Sequence, residues 1–438
     1  MKKRWLVVLI LTLACIAVVL TVFWQLTSVD KLLRPPKPGG KELLIQQAFE
    51  EHISYEYQLE NSNKGPYNTA YSYVDIDDNG TGIATVTYSK SQNPKELCIA
   101  VLNEKDGRWS CIADLSTGCN EIEYINFIDM NNDSKKEIIV QCSLQSILIY
   151  NHLLIYEISD ENDSVKKIYE CNYDVLEIID IDSDSLPEIV KADSVTYENT
   201  NRYKLSVNKF INNDFAECDS IIVNESLDML SYMHIDEKAD ENARMIYLDG
   251  YKASDTSVTY FYVWDNTDFK FHTVDNDKAL ADGVAHNMSV GCKDVNEDGF
   301  IEFPCEASLS DSEIIFSGDT DAVITTVLWS RGDRHTTREV LYQIHNNVYD
   351  YTVVFDKRSD PDLTFICDVD KGTFDVYTLG ENNKRDKKVF TVYSSKEALD
   401  KHEKIYENNK FKHYIFLDDN AHVYGFDIEK IKDMINFR

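Results

Sequence analysis

Asp294-Val-Asn-Glu-Asp-Gly299, followed by Glu302, is one of four copies of a nine-residue acidic loop in this chain of 438 residues. The others are Asp75-Ile-Asp-Asp-Asn-Gly80, Asp129-Met-Asn-Asn-Asp133 and Asp180-Ile-Asp-Ser-Asp184. Two residues before each first Asp stand Tyr73, Phe127, Ile178 and Cys292, and four before stand Tyr71, Ile125, Leu176 and Val290, which is one face of a strand. Just after the first Asp come Ile76, Met130, Ile181 and Val295. A degenerate copy follows Leu230 and Tyr232 at His234-Ile235-Asp236, so first positions fall at 75, 129, 180, 234 and 294, with spacings of 54, 51, 54 and 60. A period of that length, rich in Val, Ile, Tyr and Thr, predicts one four-stranded propeller blade per repeat rather than a helical solenoid.

Carboxylates on alternate residues of a tight loop can converge on one hard divalent cation, which wants about six to eight oxygens. Positions one, three and five supply side chains, seven a carbonyl and nine a further acid. The ligand sets expected for calcium are Asp129, Asn131, Asp133 and Glu137; Asp180, Asp182, Asp184 and Glu188; and Asp294, Asn296, Asp298 and Glu302. The first loop offers Asp75, Asp77 and Asn79 but has Ile83 at position nine. In the degenerate copy His234 replaces the first Asp and Lys238 puts a positive charge at position five, so no metal is expected there. Position six calls for a positive φ; Gly80 and Gly299 suit it, while Ser134 and Ser185 are strained. The competing reading is a metal-free Asx turn whose acids accept backbone amides. EF-hands are excluded, because position twelve holds Val86, Val140, Lys191 and Cys305 and the flanks read as strands.

These loops resemble the FG-GAP and VCBS repeats, the calcium-loop blades of integrin α-subunit heads, over residues 66 to 345. The Phe-Gly and Gly-Ala-Pro elements that name the first group are missing, so the likeness is to the calcium loop and the blade pattern. The whole layout also resembles membrane-anchored proteins of Gram-positive bacteria that carry an Arg-Pro-Pro spacer and degenerate repeats. That resemblance implies an extracellular location and supplies no catalytic residue.

Trp5 to Trp24 is a 20-residue uncharged run preceded by Lys2, Lys3 and Arg4. It is long enough to span a bilayer, and the basic end should stay inside, sending the rest of the chain out. Signal-peptide cleavage and lipoprotein processing at Cys15 are the competing readings. Arg34-Pro-Pro-Lys-Pro-Gly-Gly40 reads as a spacer. The expected organisation is a tail (1–4), an anchor (5–24), the spacer (25–40), a propeller with a leading helix (41–345) and a small α+β domain (346–438). The leading helix, Lys41 to His52, carries Leu43, Leu44, Ala48 and Phe49 at helical spacing. In the last domain, helices are expected over Ser395–His402 and Asp427–Asn436, with a hairpin across Asp419-Asn420.

A formal charge of -32 argues against nucleic acid as a partner. Ten cysteines, one of them in the anchor, include no C-x-x-C and read as buried free thiols, with a Cys292–Cys305 pair left open. Arg331-Gly332-Asp333 lies between predicted strands and reads as a turn rather than an integrin ligand. Trp109, Trp264 and Trp329 read as core packing, with a carbohydrate groove as the alternative. No nucleophile, zinc-hydrolase or phosphate-binding motif is present. The expected function is non-catalytic binding of a cell-surface glycan, peptide or protein by a calcium-loop propeller. A glycan-acting propeller enzyme and an envelope sensor or assembly factor are the alternatives.

Overall fold

The computed structural model describes residues 40–437 except 78–79, 81, 92–94, 146–148, 160–162, 224–226, 239–241, 253–255, 275–282, 287–289, 319–322, 334–335 and 400–403. The expected anchor and nearly all of the spacer lie outside the described residues. Among those described, no helix is long and apolar enough to cross a membrane. The fold is mainly β, with 59% strand and two α-helices among the described residues. Contacts divide it into two compact units, one of residues up to Ile128 with Lys135–Ile149 and Leu154–Ile168, the other of Asp129–Ser134, Tyr150–Leu153 and Tyr169–Arg438.

The first unit opens with α1 (Lys41–His52). Its first sheet contains β1 (Tyr57–Leu59), β2 (Tyr71–Val74), β3 (Ile83–Lys90), β4 (Glu96–Lys105) and β5 (Arg108–Ser116), all antiparallel, with β1 and β2 on opposite ends of β3. Asp106 and Gly107 both have positive φ, the tight hairpin that this dipeptide announces. The second sheet runs in chain order through β6 (Glu121–Ile128), β7 (Glu137–Gln145), β8 (Ile149–Ser159) and β9 (Ser164–Tyr173). Ile99, Phe127, Ile138 and Leu154 belong to one core between the two sheets. The other face of β3 and β4 is covered by α1, so these strands are buried on both sides instead of alternating. The helix turns in Ile45 and Phe49, with Ala48 half-buried, whereas Leu43 and Leu44 are exposed. Of the expected face Ala48 and Phe49 thus turn inward, and Ile45 takes the place of Leu43 and Leu44.

In the second unit the third sheet is β10 (Val175–Ile179), β11 (Glu188–Tyr197), β12 (Thr200–Ile211) and β13 (Asp214–Ile222). The fourth is β14 (Met229–Ile235), β15 (Ala243–Lys252), β16 (Thr256–Asp265) and β17 (Lys270–Thr273), with β18 (Val284–His286) also pairing β16. The fifth repeat gives β19 (Phe303–Glu306), β20 (Glu313–Ile315), β21 (Ile324–Gly332), β22 (Thr337–Asn346) and β23 (Tyr351–Asp356); β19, β21, β22 and β23 make the fifth sheet. Among the described residues directly before the last loop no strand is found, and an isolated Lys293–Glu302 bridge stands there. Five consecutive antiparallel meanders thus follow the five repeats, although no closed barrel or propeller is found among the described residues.

The C-terminal region departs from an independent α+β domain. β24 (Leu363–Asp368), β25 (Thr373–Leu379), β26 (Arg385–Ser395), β27 (Tyr406–Glu407) and β28 (Lys412–Leu417) form a sixth sheet, and β20 joins it in parallel with β24. β23 lies in the fifth sheet, and so does the last strand, β29 (Ile435–Phe437), antiparallel to β23. Residues 396–399 are not helical, although Ser395 Oγ does accept from Glu397 N. The expected hairpin across Asp419-Asn420 is replaced by a 3-10 turn at Ala421–Tyr424, ended by Gly425 at φ 77°. The final helix, α2 (Ile428–Asp433), is capped by Asp427, whose side chain accepts from Lys430 N, and is shorter than expected because β29 follows it.

Candidate metal loops and a polar cavity

One backbone geometry recurs in the acidic loops. Position six has positive φ at Gly80 (87°), Ser134 (68°), Ser185 (76°) and Gly299 (85°). In each copy its N–H donates to the first Asp: Gly80 to Asp75 at 2.8 Å, Ser134 to Asp129 at 3.0 Å, Ser185 to Asp180 at 2.9 Å and Gly299 to Asp294 at 2.8 Å. The two Ser copies pay for that φ in strain, as their sequence implies. The apolar residue after the first Asp is buried in Ile76, Met130 and Ile181. Position nine opens or directly precedes the next strand and is buried whether it is Ile83, Glu137, Glu188 or Glu302.

Loop one places Asp75 and Asp77 at the start of the turn, while Asn79 lies outside the described residues. Asp75 Oδ1 is buried with no hydrogen-bond partner among the described residues. In loop two, Asp129 Oδ1 accepts from Asn132 N and Asn131 Oδ1 from Asp133 N. This turn belongs to the second unit, whereas Glu137 belongs to the first.

In loop three, oxygens of Asp180, Asp182 and Glu188 lie within 4.8 Å of one another. Lys209 of β12 enters this group: its Nζ is 2.6 Å from Asp182 Oδ2, 2.5 Å from Asp184 Oδ2 and 3.2 Å from Glu188 Oε1. Burial pushes Glu188 up to about 7, with Asp182 adding to it and Lys209 opposing it. Asp184 is held below its usual range, because the Lys209 ammonium outweighs its partial burial.

Loop five keeps its full side-chain set. Asp294 accepts from Asp298 N and Gly299 N, Asp298 from Phe300 N, and Glu302 from Val295 N at 3.0 Å and Asn296 Nδ2 at 3.1 Å. Burial raises Glu302 to about 7, assisted by Asp298 and Asp294. Three cations surround the loop. Arg358 reaches Asp298 Oδ2 at 3.4 Å, Arg331 lies 3.2 Å from the Phe300 ring centroid, and Lys238 donates to the Asp298 carbonyl. Lys238 is the residue at position five of the degenerate copy, which thus contributes a cation to the following loop. Asp236 of that copy accepts from Ile301 N and is pushed up to about 7 by burial.

Sequence reading missed three features. Lys209 is invisible to loop spacing, because only strand pairing brings it in. Asp265, Asp268 and His272 gather within 4.8 Å at the β16–β17 turn, where the Asp-x-x-Asp-x-x-x-His spacing is the only signal. Thr259 Oγ1 sits 2.5 Å from Asp249, 3.0 Å from His286 Nε2 and 3.4 Å from Cys292 Sγ. That buried network joins residues of nucleophilic type, yet the Cys292 thiol meets Asp249 at 3.2 Å and burial drives its pKa well above the usual value. A thiol so placed is a poor nucleophile.

A cavity of about 280 Å³ opens between the fifth and sixth sheets, lined by Ser308, Glu339, Tyr342, Lys357, Asp362 and Asn383 among others. Lys357 Nζ lies 2.5 Å from Asp362 and 3.8 Å from Glu339, so acceptors and donors alternate along one wall. Burial, then Glu339, raises the Tyr342 phenol to about 12. Trp264 and Trp329 are in the core and Trp109 is half-buried, which leaves no Trp groove among them. Arg331 is buried and, with Gly332, ends strand β21 in register with Arg338 and Thr337; only Asp333 lies beyond the strand, its N–H donating to Thr336 O. The nine described cysteines are all free, including Cys292 and Cys305. Neither family models nor curated proteins give a match to this sequence.

Proposed function

We propose that the chain is a membrane-anchored, extracytoplasmic binding protein, with its repeats arranged as a β-propeller and structural calcium held at the fifth loop. The observation that carries the reading is the loop geometry shared by four of the five repeats, each of the five carrying an antiparallel meander; loop five retains all four ligand side chains without an ammonium among them. A cation there would neutralise Asp294, Asp298 and the buried Glu302 together and fix the turn. The anchor and its orientation rest on residues 2–24.

The cavity between sheets five and six is the proposed ligand site. Alternating carboxylate, ammonium, hydroxyl and amide groups beside Leu309, Phe355 and Leu363 suit the polar edges and apolar faces of a sugar ring. The full chain in detergent should bind members of a panel of cell-surface oligosaccharides, and Asp362→Asn should weaken that binding at least tenfold. Absence of binding across the panel would refute the glycan reading, and release of shortened sugars would replace it with a glycan-acting enzyme.

A further inference from the structure

We infer that Lys209 is the resident cation of the third acidic loop, so that this copy is pinned without metal, and that Lys209 alone separates it from a calcium site. The argument begins with register. In the β11–β12 ladder Ile189 pairs with Asn208, so one step further Glu188, the ninth-position acid, faces Lys209. That pairing fixes the lysine stem on the strand next to the loop, and the ammonium then meets carboxylates from positions three, five and nine at 2.6, 2.5 and 3.2 Å. Two of its N–H groups donate to Asp182 and Asp184, and the contact with the buried Glu188 Oε1 is an ion pair without hydrogen-bond geometry. A calcium ion about 2.3 to 2.6 Å from the same oxygens would overlap Nζ, so the two exclude one another.

The same register position in other repeats supports the assignment. In the first repeat position nine is Ile83 and its cross-strand partner is Asn103: with no acid, there is no base. In the fifth, Phe303 pairs with Ser330, so Glu302 faces Arg331. The guanidinium lies 3.2 Å from the Phe300 ring centroid and favours the charged form of Glu302, whose Oε1 also receives Asn296 Nδ2. A compact ammonium on a flexible stem can enter the loop between its carboxylates.

The inference rests on the calcium reading of these loops, but its test stands apart from calcium at loop five. Calcium stoichiometry would be measured by titration calorimetry on the full chain in detergent, for wild type, Lys209→Met and Lys209→Met/Asp182→Asn. Lys209→Met should bind one calcium more than wild type, and the double variant should lose that gain, whether or not loop five binds. An unchanged stoichiometry in folded Lys209→Met would overturn the inference. Should that variant fail to fold, Asp182→Asn alone decides: an equal fall in Tm in calcium and in chelator supports a lysine-filled loop, and a fall confined to calcium overturns it.

Discussion

Asp298 and Asp182 occupy comparable loops yet should respond differently to mutation. Asp298→Asn is expected to lower stability by about 1–3 kcal/mol in calcium and far less in chelator, as read by thermal unfolding. Asp182→Asn breaks a contact with Lys209, so its loss should be the same in both. A second residue sets a pH dependence. His413 is fully buried among Tyr351, Tyr406 and Phe437, and burial lowers its pKa to about 4 from 6.5. The unfolded chain then takes up its proton first as pH falls, so this contribution is present above pH 6.5 and is lost down to about 4. Subtracting the stability curve of His413→Gln from wild type should expose a drop of up to about 3 kcal/mol over that window. The difference must be read, because Glu188 and Glu302, raised to about 7, change in the opposite sense. At this scale the first, sixth and ninth loop positions could be read from sequence, since the turn itself dictates them. Lys209 could not, because it stands 21 residues beyond Glu188 and enters only through strand register.

At the scale of elements, helix α1 is a lid on the first sheet and not only a lead-in. Phe49 sits edge-on to Tyr57 and Tyr88 at 5.0 and 5.2 Å, so Phe49→Ala should cost about 3–5 kcal/mol in urea unfolding. Leu43→Ser should change stability by less than about 0.5 kcal/mol, because Leu43 is exposed. Apolar patterning located this helix and the strands that lead into four of the loops, β2, β6, β10 and β14. It failed at Val423, which ends 79% exposed on a 3-10 turn, since a local apolar cluster without a sheet edge to join cannot make a strand. The structure departs from it too at residues 396–399, the described part of the helix expected over Ser395–His402, where Ser395 Oγ accepts from Glu397 N but the backbone is not helical; residues 400–402 lie outside the described residues.

For the whole molecule, the repeat period exposed the succession of meanders, while the end of the repeats at residue 345 did not mark an independent domain. Non-local pairings hid this: β23 and β29 complete the fifth sheet, and β20 from the fifth repeat edges the sixth. A chain ended after His345 should therefore fail to give a cooperative thermal transition by circular dichroism, whereas a separable C-terminal domain would leave that transition intact. The central claim, that the acidic repeats include a true calcium site, is tested most directly by thermal unfolding of the full chain in detergent, with calcium and then with chelator. A ligand bound only by the folded state raises Tm. The account predicts a higher Tm in calcium that Asp298→Asn abolishes; an identical Tm in both conditions, or a calcium shift untouched by Asp298→Asn, would contradict it.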